Sequence, residues 1–137
     1  MDRNMKELNV GEVLEPLNQE PISRKTLALF AGASGDHNPI HIDTDFAKSV
    51  GLDDVFAHGM LGMAYLGQLL TLFTEQKNLR SYSVRFSSIT QVGAQLKCSG
   101  KVIEIFEENN ERLLRLELSA TDQNNDVKLS GDAVIAL

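Results

Sequence analysis

From Val55 to Thr74 the chain runs for 20 residues without one Asp, Glu, Lys or Arg. A segment this apolar must be covered on most of its surface if it is helical. Its length is close to that of a membrane span. It also holds His58, three glycines, Gln68 and two threonines, and no other segment resembles it. We therefore read a buried core helix, which demands a cover from elsewhere in the chain.

The cover is legible after Gln76, where the pattern changes to period two. Tyr82, Val84 and Phe86 alternate with Ser83, Arg85 and Ser87, as in a half-buried strand. Leu96, Cys98, Gly100 and Val102 form a second series, and Leu114, Leu116, Leu118 and Ala120 a third. Val127, Leu129, Gly131, Ala133, Ile135 and Leu137 complete the set. The connections Glu107 to Glu111 and Asp122 to Asp126 are rich in Asn and acid, which suits hairpins. Four antiparallel strands curved around one apolar helix give an α+β architecture.

The first third is mixed. Gly11 to Leu17 is read as a short strand, and Ser23 as the cap of a helix ending near Gly32 or Gly35. Pro39 lacks an amide proton and pushes its predecessor away from helical angles, so Gly35 to Pro39 is a loop. A short helix capped by Asp43 or Thr44 runs toward Gly51. With 137 residues and no repeat or linker, residues 1–137 are read as one domain. A net charge of −6 and no run of Lys and Arg argue against a nucleic-acid or anionic-membrane partner. The N-terminus, with Asp2, Arg3, Lys6 and Glu7, has no signal-like apolar stretch. Cys98 stands alone, so no intrachain disulfide is possible, which suits a reducing cytoplasm. It reads as an inert buried thiol.

Reactive side chains are dense in one place, Ser34 to Asp43. Asp36 and His41 stand five residues apart across a loop shaped by glycine and proline, which can bring a carboxylate and an imidazole onto one water molecule. Near neutral pH the carboxylate accepts a proton and the histidine accepts or donates one. Adding water to an α,β-unsaturated thioester needs such a pair, and also a donor for the carbonyl oxygen as an enolate forms. The first amides of a helix are unpaired, and Gly59 lets an oxygen approach its N–H unobstructed. His37 and His41 have a spacing that binds metal on a helix, but Pro39 between them rules out the helix, and no metal site is expected. His58 is expected to cap or orient the apolar helix. Met60, Met63, Leu66 and Leu69 are read as core, Tyr65 as core or channel, and Arg85 as facing a carrier phosphate or solvent.

The segment Ala33-Ser34-Gly35-Asp36-His37-Asn38-Pro39-Ile40-His41, then Phe46-Ala47, then Ala57-His58-Gly59-Met60-Leu61, resembles the MaoC-like hydratases. That family includes (R)-specific enoyl-CoA hydratases and (3R)-hydroxyacyl-ACP dehydratases. The resemblance implies a hot-dog fold, a sheet wrapped around a central helix, and a homodimer or dimer of dimers with sites at the interface. It implies that Asp36 and His41 activate water, that Gly59 supplies the oxyanion amide, and that Asn38 orients the loop or the pair. The substrate is then a trans-2-enoyl thioester on coenzyme A or acyl carrier protein, with no prosthetic group. Two features depart from the family's habit: Gly67 where many members have serine or another polar residue, and the run Ile89-Thr90-Gln91-Val92-Gly93-Ala94 where many read Pro-Val-x-x-Gly-Asp. The alternatives are a hot-dog acyl thioesterase and the catalytic subunit of a heterodimeric hydroxyacyl-ACP dehydratase.

Overall fold

The computed structural model describes residues 5–137; Asp2 and Arg3 lie outside the described residues. Strand β1 (Leu17–Asn18) is followed by α1 (Arg24–Ser34), a 3-10 turn (Pro39–His41), α2 (Thr44–Ser49) and α3 (Gly59–Phe73). Then come β2 (Leu79–Phe86), β3 (Lys97–Glu108), β4 (Glu111–Thr121) and β5 (Val127–Ala136). The five strands form one antiparallel sheet in the order β1-β3-β4-β5-β2. It curls around α3 as the hot-dog fold does.

Local chemistry fixes the element ends. Ser23 accepts the amide of Thr26 at the start of α1, and Gly35 closes it in the left-handed region at φ 78. Asn109 and Asn110, at φ 52 and 63, make the two-residue turn between β3 and β4. The Asp122 carboxylate accepts the amides of Asn124 and Asp126 and so shapes the connection from β4 to β5. Gly131 stands opposite Val84, where a Cβ would lie 2.0 Å from the Ser83 carbonyl oxygen, so β5 and β2 approach this closely only because the residue is glycine.

The apolar stretch is helical from Gly59 onward; Val55 to His58 is an extended strap leading into it. Among the described residues no helix is long and apolar enough to cross a membrane. Leu66, Leu69 and Leu70 of α3 are fully buried and pack with Val102, Leu114, Leu116, Leu118, Leu129 and Ile135 of the sheet. A second cluster (Ile22, Leu27, Ala47, Val55, Ala57, Leu61 and Leu96) joins α1, α2 and the strap. That cluster holds the loop of interest against the start of α3.

Three expectations need correction. Gly11 to Leu17 runs beside β3, with a bridge from Val13 to Lys101, but the ladder proper is only Leu17–Asn18. Met60 is 55% exposed rather than core, because the helix face it shares with Ala64 and Leu72 points away from the sheet. Val127 is exposed and Lys128 buried, since Ala120 pairs with Leu129 but Thr121 with Val127, which leaves Lys128 as the extra residue of a bulge.

Candidate active site

The loop between α1 and α2 is built from its own side chains. Asp36 Oδ1 accepts the Asn38 amide at 3.2 Å, and Asn38 Oδ1 accepts the Ile40 amide at 3.1 Å. Asn38 thereby caps the 3-10 turn that carries His41, with Pro39 preset for its first position. The strap then crosses this turn. Phe56 donates its amide to the Ile40 carbonyl, and Ala57 donates to the Thr90 carbonyl.

His41 is buried, at 8% exposure, and its Nδ1 lies 2.8 Å from the Phe56 carbonyl oxygen. A carbonyl only accepts, so Nδ1 carries the hydrogen and the neutral ring has its lone pair on Nε2. That Nε2 faces Asp36 Oδ2 at 3.8 Å. The gap is too long for a direct hydrogen bond, and a water molecule hydrogen-bonded to both atoms fits it. The Asp36 carboxylate is half-exposed, so the water is reachable from outside.

His58, the residue before Gly59, stacks on His41 with ring centroids 3.9 Å apart and planes 25° apart. Its Nε2 lies 3.2 Å from the Asp36 carbonyl oxygen. Burial lowers its pKa from the ordinary 6.5, and the neighbouring His41 adds to this against the raising effect of the Asp36 carbonyl. Sequence reading missed this link, since spacing alone does not reveal which ring lies on which. Asp36, His41 and His58 bring ligand-type atoms within 4.8 Å of one another. A metal ion must lie near the plane of each imidazole that binds it, and two stacked rings offer no such shared point nearby. His58 Nε2 is also engaged by the carbonyl. The trio is held together by one hydrogen bond, from His58 to the Asp36 carbonyl, and by the stack of the two rings.

Gly59 opens α3, so its amide is one of the unpaired donors of that end. A Cβ there would come within 2.8 Å of the Phe86 ring, which lies flush on the glycine. Beside it is a cavity of about 320 Å³, walled by Phe56, Ala57, Phe86, Leu129, Ser87 and Thr90 among others. Lys128 helps line it, an ammonium buried in a strand that pattern alone assigns to apolar residues. It donates to the Ile89 carbonyl at 2.8 Å and to Asp126 at 2.7 Å, with Asp122 at 3.7 Å. The lysine therefore pins the loop of residues 87–91 to β5. His37 and, on the edge strand β2, Arg85 are both exposed.

Residues 6–124 match the model of the MaoC like domain. The chain belongs to the MaoC-like family. A mitochondrial 3-hydroxyacyl-[acyl-carrier-protein] dehydratase of Arabidopsis thaliana is 24% identical over 131 residues, covering 95% of this chain and 78% of that one. An (R)-specific enoyl-CoA hydratase of Rhodospirillum rubrum is 39% identical over 49 residues, 36% of this chain and 34% of its own. Among solved structures, an R-hydratase from Pseudomonas aeruginosa superposes with a TM-score of 0.82 at 28% identity, covering 96% of this chain and 83% of that chain. An (R)-hydratase from A. caviae gives 0.81 at 24%, covering 96% and 98%, which speaks to the fold. This MaoC-like chain thus sits in a hydratase and dehydratase family.

Proposed function

We propose that the protein catalyses the reversible hydration of trans-2-enoyl thioesters to (R)-3-hydroxyacyl thioesters. The observation that carries this is the 3.8 Å gap between Asp36 Oδ2 and His41 Nε2, the span of one bridging water. The pair takes a proton from that water as its oxygen bonds to C3 of the enoyl group, and a proton is delivered to C2. Charge that moves onto the thioester oxygen meets the Gly59 amide, which follows directly on the His58 that stacks on His41. Asn38 keeps the loop in shape through both of its Asx contacts. The substrate's carrier is coenzyme A or acyl carrier protein, and the step needs no prosthetic group.

The site is proposed to work in a homodimer. The α3 face bearing Met60, Ala64 and Leu72 lies open, and so does β2, the last strand of the sheet, with Phe86 and Ile89 about half-exposed at its end.

Absorbance of the enoyl-thioester band with crotonyl-CoA tests the reaction. Wild type should remove the band, and Asp36→Asn should slow this about a hundredfold or more. Release of free thiol instead would make the protein a thioesterase. No turnover of crotonyl-CoA or longer enoyl-CoA substrates would overturn the enoyl-CoA assignment in favour of a carrier-protein dehydratase or a heterodimeric subunit.

A further inference from the structure

His58 is a buried titratable group that the hydration step above does not use. It is 2% exposed, and its two ring nitrogens are treated very differently. Nε2 lies against the Asp36 carbonyl, which can only accept, so Nε2 carries hydrogen. Nδ1 is buried with no partner among the described residues. A hydrogen on Nδ1 would be a buried donor with nothing to receive it, which is costly. An imidazolium would add an uncompensated charge to that cost. One species meets both conditions, the neutral ring protonated on Nε2 alone.

That ring touches each part of the proposed machinery. It holds the backbone of Asp36 at 3.2 Å. It stacks on His41 at 3.9 Å, while Phe30 meets it edge-on at 4.9 Å. Its own carbonyl carbon closes the peptide whose N–H is that of Gly59. We propose that His58 is a positioning residue, a fixed neutral Nε2–H tautomer that sets the Asp36–His41 pair in register with the Gly59 amide. The charged and titratable groups facing it are Asp36 and His41. Its kinetic consequence rests on the hydratase reading, while its protonation state does not.

The first arm of the test is nitrogen NMR of the ¹⁵N-histidine-labelled full chain between pH 5.5 and 8. The expected spectrum has His58 as a neutral Nε2–H tautomer throughout. A protonation midpoint near 6.5, or an Nδ1–H tautomer, overturns the proposal. The second arm compares His58→Phe, which keeps a ring for the stack, with His58→Gln, whose amide nitrogen can still reach the Asp36 carbonyl. With crotonyl-CoA, His58→Phe should lower kcat about tenfold or more with KM nearly unchanged, since small misplacements of reacting groups are expensive. His58→Gln should recover part of that loss. Wild-type kcat in both variants, or a loss matching only the fraction of unfolded protein by circular dichroism, overturns it. An inert wild type with the expected NMR pattern would sink the hydratase reading alone, so the two failures are distinguishable.

Discussion

At the scale of single residues, the site depends on close approaches that small substitutions expose. Gly59→Ala places a methyl 2.8 Å from the Phe86 ring. Phe86 is 53% exposed and can swing aside, so the melting temperature should change little. The displaced ring and the new methyl crowd the amide, and kcat/KM for crotonyl-CoA should fall about tenfold or more, short of the 10²–10³ for losing an oxyanion donor outright. Unchanged kinetics would mean that nothing approaches that amide closely. His58 also links pH to stability. Burial keeps its folded pKa below 6.5, so the unfolded chain binds a proton that the folded chain refuses. The associated stability is complete above 6.5 and is lost as pH falls through 6.5 toward the folded value. Calorimetry should show a lower melting temperature at pH 5.5 than at 7.5, with a smaller drop in His58→Phe; equal drops in both proteins would contradict this. Cys98 is the inert thiol its alternating position suggests, with burial pushing its pKa up to about 12.

At the scale of elements, the strands were readable from period two, and the places where the reading slipped are bulges. A register shift between Val102 and Glu104 reverses the alternation beyond it and turns Ile105 toward the core. A second shift makes Lys128 the extra residue of β5 and turns it inward to the loop of residues 87–91. Bulges change which face a side chain takes without leaving a mark in composition, so alternation could not locate them. Burial alone would raise the pKa of Asp122, but hydrogen bonds from Gln91, Asp126 and Asn124, with Lys128 nearby, hold it below the ordinary carboxylate value. Lys128→Met takes the cation from beside this buried carboxylate and breaks the lysine's bonds to Ile89 and Asp126, and should cost roughly 3 kcal/mol in urea unfolding. Adding Asp122→Asn should cost less than the sum of the two single changes, because they share one interaction. Strict additivity would show that the pair is not coupled.

At the scale of the whole molecule, one face of the central helix is left open among the described residues. Its sheet-facing leucines are buried, while Met60 and Leu72 are 55% and 47% exposed. Apolar surface of this kind beside the Asp36–His41 loop supports the proposed homodimer. The chain should elute as a dimer on size exclusion, and Ala64→Arg, in the middle of the open helix face, should shift it to monomer and reduce hydration of crotonyl-CoA. A monomeric wild type with full activity would remove the dimer from the proposal.

The helix within Val55 to Thr74, the strands that wrap it, and the loop that carries Asp36, Asn38 and His41 can be read from the sequence, because they rest on local periodicity, turn residues and side-chain caps. The sequence also singles out Gly59, since a glycine at a helix start has its own chemical meaning. The folded arrangement is needed to see that His58 lies on His41, that Phe86 covers Gly59, that Lys128 turns inward, and that Met60 faces out. Each of these joins segments distant in the chain or depends on sheet register, and packing sets such contacts after the local elements are already chosen.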